Sequence, residues 1–332
     1  MPVCLRVTLV TLAALASVIF SLQSARAQPA WKPDKVVEVI TSSAAGGSND
    51  QIARVLQNIL QGNKLLPTPL NIGNKPGGNQ TLAVVYLTQH PADAHFHLLA
   101  NPTLYTNYLS GVTPLSHNDL TPIALLLVEH TVISVPANSP IKNLQDLMVR
   151  LRADPESIAV GIVSRGGPNH LALSQAIKAG GVDPRRVRAA VFKTNTESMT
   201  AMAGGHLQLV ASSVSSAIAQ VQAGNARVLA IASQHRIGGP LANVPTFKEQ
   251  GIDTWVSNWR ALFGAKGINP AQIAYWEETL AKMAATEEWK KQLETHDWEG
   301  QFLRSREFTQ YLQGEYTATR AIMSDLGLLK TQ

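Results

Sequence analysis

The sequence predicts an α/β protein of two lobes, each a mostly parallel sheet flanked by helices. Three observations carry this expectation. Strand-like and helix-like runs alternate from residue 35 to residue 233, the pattern of strands joined by helical crossovers. Two strand–Gly-Gly–helix junctions stand about 120 residues apart, one in each half of the chain. The 332 residues suit two hydrophobic cores better than one. With 45% hydrophobic and 15% charged residues, the composition excludes a disordered or fibrous chain.

The N-terminus reads as a secretory signal peptide. Arg6 precedes an apolar stretch from Val7 to Phe20, and Ala25-Arg26-Ala27 supplies the small residues of a cleavage site, so cleavage is expected after Ala27. The stretch is short for a membrane span. Cys4 is the only cysteine, so the mature chain has no thiol, no disulfide and no cysteine-ligated metal. Removing Arg6 and Arg26 leaves 26 basic against 23 acidic residues, a net +3. The basic residues are scattered, which disfavours nucleic acid and is compatible with an anionic small molecule.

The elements follow in order. "KVVEVIT" (35–41) is a strand, and "SSAAGGSND" (42–50) is the first junction. In the helix after it, Ile52, Val55, Leu56, Ile59 and Leu60 form one apolar stripe, with Ser48, Asn49 or Asp50 as cap. Pro76-Gly77-Gly78-Asn79 marks a loop before another helix, and "FHLLANP" (96–102) a short strand. "IALLLVEHTVISVPAN" (123–138) reads as two buried strands around Glu129-His130. Asn143 caps a helix, "SIAVGIVS" (157–164) is a strand, and "RGGPNH" (165–170) is the second junction. The helix after it stops at Gly180-Gly181. Shorter strands and helices alternate to residue 233, and the chain from Pro270 is mostly helical and amphipathic, with Trp276, Trp289 and Trp298 as packing anchors.

A helix start leaves backbone N–H groups unpaired and carries partial positive charge, and glycine lets a ligand approach the backbone. Each junction alone is either punctuation or an anion site; two at the carboxyl ends of strands suggest a cleft between lobes. Sharper motifs fail on spacing. No lysine follows Gly46-Gly47 as a phosphate loop requires, neither junction has Gly-x-Gly-x-x-Gly, and no glycine precedes Ser164 as in a nucleophile elbow. An irregular serine hydrolase using Ser164 and His170 is the enzyme alternative. His90, His95 and His97 read as surface histidines at a strand entrance rather than metal ligands. His170, in the first turn of its helix, either meets an anion or caps and packs. Arg165 either pairs with a carboxylate or points into solvent.

Across the mature chain the sequence resembles the Bug family of extracytoplasmic solute receptors, the binding components of tripartite tricarboxylate transporters. The motifs are "AAGGSNDQIARVLQ", "NKPGGNQTLAVVYLTQHPAD", "NPTLYTN" with "DLTPIALL", "VPANSPIKNLQDL", "GIVSRGGPNHLAL", "LANVPTFKEQGID" and "LFGAKGINP", in that order. The resemblance implies a two-lobed periplasmic-binding-protein fold of type II and a periplasmic location. It implies a carboxylate held in the cleft by backbone N–H groups, and delivery to the membrane components of a transporter.

Carried over by motif, the ligand-binding residues of the first loop are Ser43, Ala44, Ala45, Gly46, Gly47, Ser48 and Asp50. Those of the second are Ser164, Arg165, Gly166, Gly167, Asn169 and His170. Asn79, Asn101 and Thr103 line one lobe, and Ser212 and Ser213 the other. The chain departs from the family where Ser42-Ser43-Ala44-Ala45 replaces an aromatic-proline turn, where Gln208 stands for an aspartate, and at Arg165. The expected lobes are 28–127 with 246–332, and 128–245. No cofactor, catalytic residue or nucleic-acid partner is expected, and the chain is expected to be a monomer. Delivery to a signalling partner is the alternative to transport.

Overall fold

The structure, a computed structural model, describes residues 31–330; the predicted signal peptide lies outside them. The runs of β-branched and apolar residues form eleven strands in the described residues. Those of the first sheet are β1 (Val37–Thr41), β2 (Leu70–Asn74), β3 (Phe96–Ala100), β4 (Thr121–Glu129), β10 (Asn258–Gly264) and β11 (Glu299–Arg304). Those of the second are β5 (Thr131–Pro136), β6 (Ala159–Ile162), β7 (Arg188–Val191), β8 (Leu209–Ser213) and β9 (Ala226–Ala232). The sheet orders are β11-β4-β10-β3-β1-β2 and β7-β6-β8-β5-β9.

The α/β, two-lobed expectation holds, and the pairings add a division within each sheet. β1 runs parallel to β2 and β3, and β6 parallel to β7 and β8. The strands adjoining the crossovers, β4, β5, β9 and β10, take part in antiparallel pairs. Only His130 separates β4 from β5, so the chain changes sheet there within one residue. It returns between Ala232 and Asn258. The parallel half of each sheet carries a junction, because a strand–helix–strand crossover requires parallel neighbours.

Helix α1 (Ser48–Gly62) buries Ile52, Leu56, Ile59 and Leu60 of its predicted stripe and leaves Val55 half-buried. The remaining helices are α2 (Thr81–Thr88), α3 (Thr103–Leu109), α4 (Leu144–Ala153), α5 (Pro168–Ala179), α6 (Asn195–Ala203), α7 (Val214–Gln222), α8 (Pro270–Ala284), α9 (Glu287–His296) and α10 (Ser305–Asp325). Asn143 caps α4 as expected, its side chain accepting from the Asp146 N–H. Trp276, Trp289 and Trp298 are buried. Among the described residues no helix is long and apolar enough to cross a membrane.

Two local expectations are corrected. Gly47, not Ser48, Asn49 or Asp50, is the N-cap of α1, and it offers no side-chain bond. His95 and His97 are buried rather than on the surface. His97 meets Trp276 of α8 edge-on at 4.3 Å between ring centroids, and burial pushes its pKa down to about 3. His95 lies against Asp93 and Asp34, at 2.7 and 3.1 Å.

Candidate functional site

The two junctions are built alike. In the first, Gly46 turns the chain at φ +80°, a conformation glycine adopts without steric cost, and Gly47 returns to extended geometry to start α1. In the second, Gly166 takes φ +75° and Gly167 starts α5 in the same way. The Gly47 N–H donates to Ala44 O at 3.0 Å, and the Gly167 N–H to Ser164 O at 3.2 Å. Neither helix has a side-chain cap, so the first-turn amides of both remain available to an incoming acceptor.

Asp50 and His170 hold these turns from beneath. The Gly46 N–H donates to Asp50 Oδ2 at 2.9 Å, and the Gly166 N–H to His170 Nδ1 at 3.0 Å. Burial raises the Asp50 pKa, but hydrogen bonds from Arg54, Gly46 and Asn74 outweigh it and hold the carboxyl below its usual range. Burial, aided by the Arg165 charge, pushes His170 down to about 4. His170 therefore braces its loop as a neutral acceptor.

Both junctions face one cavity of about 780 Å³. Ser43, Ala44, Gly47 and Ser48 line it from the first loop, and Ser164, Arg165, Gly167 and Asn169 from the second. Asn79, Asn101 and Thr103 complete the predicted residues on its wall. Ala45 and Gly46 instead line a shallower neighbouring pocket with Phe192 and Thr194. Asp50, Gly166, His170, Ser212 and Ser213 are off the wall. Asp50 and His170 point under their turns, and Gly166 is buried. Ser212 and Ser213 are fully buried within β8.

Several wall residues were not anticipated. Gln80 lies in a stretch, Gly77 to Gln80, whose four residues all have positive φ, and it accepts from the Ser42 hydroxyl at 3.2 Å. Lys193 and Asn195 lie on the wall where β7 leads into α6. Asn258 and Arg260, from β10, also contribute to it. Arg260 is 3% exposed and forms an ion pair with Glu129, which is 1% exposed. Two buried charges are costly unless they are hydrogen-bonded, and among the described residues Arg260 Nε is the one polar atom of this pair without a partner. Glu129 accepts from Ser213 at 3.1 Å, Ser215 at 2.7 Å and the Trp298 indole at 3.3 Å. Ser213 does not line the cavity; it donates to Glu129, which pairs with Arg260 on the wall. A second bridge joins the sheets at Asn169, whose Oδ1 accepts from Thr131 at 2.7 Å and from Asn258 at 3.3 Å.

Among the described residues the wall carries three cations, Arg165, Lys193 and Arg260, and no acidic side chain. Arg165 is exposed and donates to Ala189 O at 3.0 Å. Such a cavity, with two uncapped helix starts, attracts a small anion. The serine–histidine alternative lacks its central contact. Among the described residues Ser164 Oγ has no hydrogen-bond partner, and His170 Nδ1 is occupied by the Gly166 N–H. Among the described residues no cluster of histidine, cysteine or acidic side chains could hold a metal.

Two α/β lobes with a cleft lined by strand-to-helix junctions define the class: this is the fold of the two-lobed periplasmic binding proteins. The chain belongs to the tripartite tricarboxylate transporter family of receptors, which matches residues 52–328. A relative from Cupriavidus necator, described as the UPF0065 protein in the gbd 5' region, is 27% identical over 321 residues, covering 96% of each chain. Two solved structures share the fold. An R. palustris protein with adipate superposes with a TM-score of 0.82 at 21% identity, covering 90% of this chain and 99% of its own. MatC from Rhodopseudomonas palustris, with bound malate, gives 0.77 at 19% identity, covering 87% and 99%.

Proposed function

We propose that this protein is a periplasmic receptor that captures a small carboxylate in the interlobe cleft and delivers it to the membrane components of a tripartite tricarboxylate-type transporter. The observation that carries the reading is the convergence of two uncapped helix starts on one cavity lined by cations and by no acid. The carboxylates in the adipate and malate structures of the same fold support it. In this reading the junction loops hold one carboxylate through backbone N–H groups, and the wall meets the rest of the ligand. The central lobe spans 128–245 and the discontinuous lobe 28–127 with 246–332, hinging about the crossovers so that a ligand touching both favours the closed form. The receptor acts as a monomer without a cofactor.

Thermal unfolding of the mature chain with malate, adipate and citrate, each against its neutral amide, tests this reading. A ligand that binds only the folded state at about 100 times its Kd stabilises it by about 2.7 kcal/mol, so at least one acid raises the Tm where its amide does not. If no carboxylate raises the Tm, or the amides raise it equally, the proposed function is wrong.

A further inference from the structure

The wall of the cleft changes character between its buried and its exposed parts. Gly47, Ser48 and Gly167, at the two helix starts, are buried. Val112 and Val191 line the same cavity and are 58% and 56% exposed, among the most exposed large apolar side chains of the described residues. They approach it from different sheets. Val112 lies in the connection from α3 to β4, and its N–H donates to Asn107 O at 2.9 Å. Val191 ends β7, the edge strand of the second sheet, paired with Ile162 of β6. Backbone bonds thus fix both positions while the side chains stay open to the cleft. A hydrocarbon covers such surface favourably, and a hydroxyl placed against it loses its water without a partner.

The amide side chains of the wall offer a hydroxylated ligand little in return, because each is already bonded within the protein. Asn49 donates to the Ser42 hydroxyl at 3.3 Å, which in turn donates to Gln80. Asn79 donates to Asn107 at 2.7 Å, and Asn101 accepts from the Thr103 N–H at 2.9 Å. Asn169 donates to Asn195 at 3.4 Å and accepts from Asn258. A ligand hydroxyl would exchange these bonds for its own, and such an exchange gains little net free energy.

We propose that the cleft selects carboxylates with an unsubstituted hydrocarbon body over hydroxylated acids of the same length, and that Val112 and Val191 make the selection. The inference rests on the carboxylate reading of the cleft and names the class of acid within it. The helix starts take the carboxylate, and the two valines cover the carbon chain from the two sheets.

Titration calorimetry of the mature protein with two matched pairs, adipate against glucarate and hexanoate against gluconate, tests the proposal. The members of a pair share carbon number and charge and differ in their hydroxyls. The hydrocarbon member of each pair is expected to bind at least about tenfold more tightly. From butanoate to hexanoate each added methylene is expected to tighten binding about threefold. Val112→Thr and Val191→Thr keep the side-chain shape at exposed positions. Each is expected to weaken adipate and hexanoate about threefold more than their hydroxylated partners. If a variant fails to fold, the matched pairs on the wild type decide alone. The inference is overturned if glucarate or gluconate binds as tightly as its partner. It is also overturned if folded variants weaken both members of a pair equally, as valines that close on each other would, or weaken neither. These outcomes leave the carboxylate reading standing. If none of the four acids binds, the inference falls, and the thermal test with malate and citrate decides separately whether the receptor reading falls too.

Discussion

Asp50 and His170 occupy the same place in two different lobes. Each stands four residues after a glycine at positive φ and accepts that glycine's N–H, at 2.9 and 3.0 Å. One brace is an anion held ionised by its donors, and the other is a neutral ring. The two loops thus share a backbone but differ in their response to acid.

The first prediction concerns pH. His170 and His97 have folded pKa values of about 4 and about 3, both below the ordinary 6.5. As pH falls through 6.5 the unfolded chain takes up these protons and the folded chain does not. Their contribution is therefore complete above about pH 6.5 and shrinks as pH drops toward the folded values. Urea unfolding between pH 7.5 and about pH 4.5 should show steadily falling stability, with His170→Ala showing a shallower fall. At neutral pH the same variant should cost about 1 kcal/mol for the orphaned Gly166 N–H. A variant with the wild-type pH slope would remove His170 from this account.

The second concerns the charge pair between the sheets. Glu129→Gln or Arg260→Met leaves one buried charge unpaired and should cost about 3–5 kcal/mol. The double variant should recover much of that loss, because no orphan charge remains. Chemical denaturation of the four proteins measures the coupling. Additive losses would mean that the two residues do not act as a pair.

Junctions and crossovers were legible in the sequence to different degrees, for physical reasons. Strand–Gly-Gly–helix is a local pattern, so the two loops could be found from spacing, while the binding residues named within them came from the resemblance to the family. Arg260 came from neither, because its burial depends on Glu129, 131 residues away, and an arginine in "NWRALFG" gives no local sign of a partner. Ser212 and Ser213 end a strand near the cleft, but β8 is central in its sheet and both are buried within it. His97 looked exposed because what covers it comes later: the Trp276 indole, which also donates to Ala94 O, is brought in by α8.

A third prediction concerns the ligand's distal end. Arg165 and Lys193 both lie on the cleft wall. Arg165→Met should weaken dicarboxylates about tenfold while changing monocarboxylates little, as competition calorimetry would resolve. Equal weakening of both would place Arg165 at the shared carboxylate instead.

The most direct test of the carboxylate cleft is the affinity of Asn49→Asp and Asn169→Asp for an acid that stabilises the wild type. Each change is isosteric and puts a negative charge in the first turn of α1 or α5, on the cavity wall. Asn49 is 2% exposed, so the cost of burying the new charge exceeds the favourable field of the helix start and the Tm should fall for Asn49→Asp. Affinities are compared on variants that remain folded. A bound carboxylate would meet a like charge, so calorimetry should show binding weakened at least about thirtyfold, or about 2 kcal/mol, in each variant. Folded variants that bind the acid with wild-type affinity would contradict the carboxylate cleft.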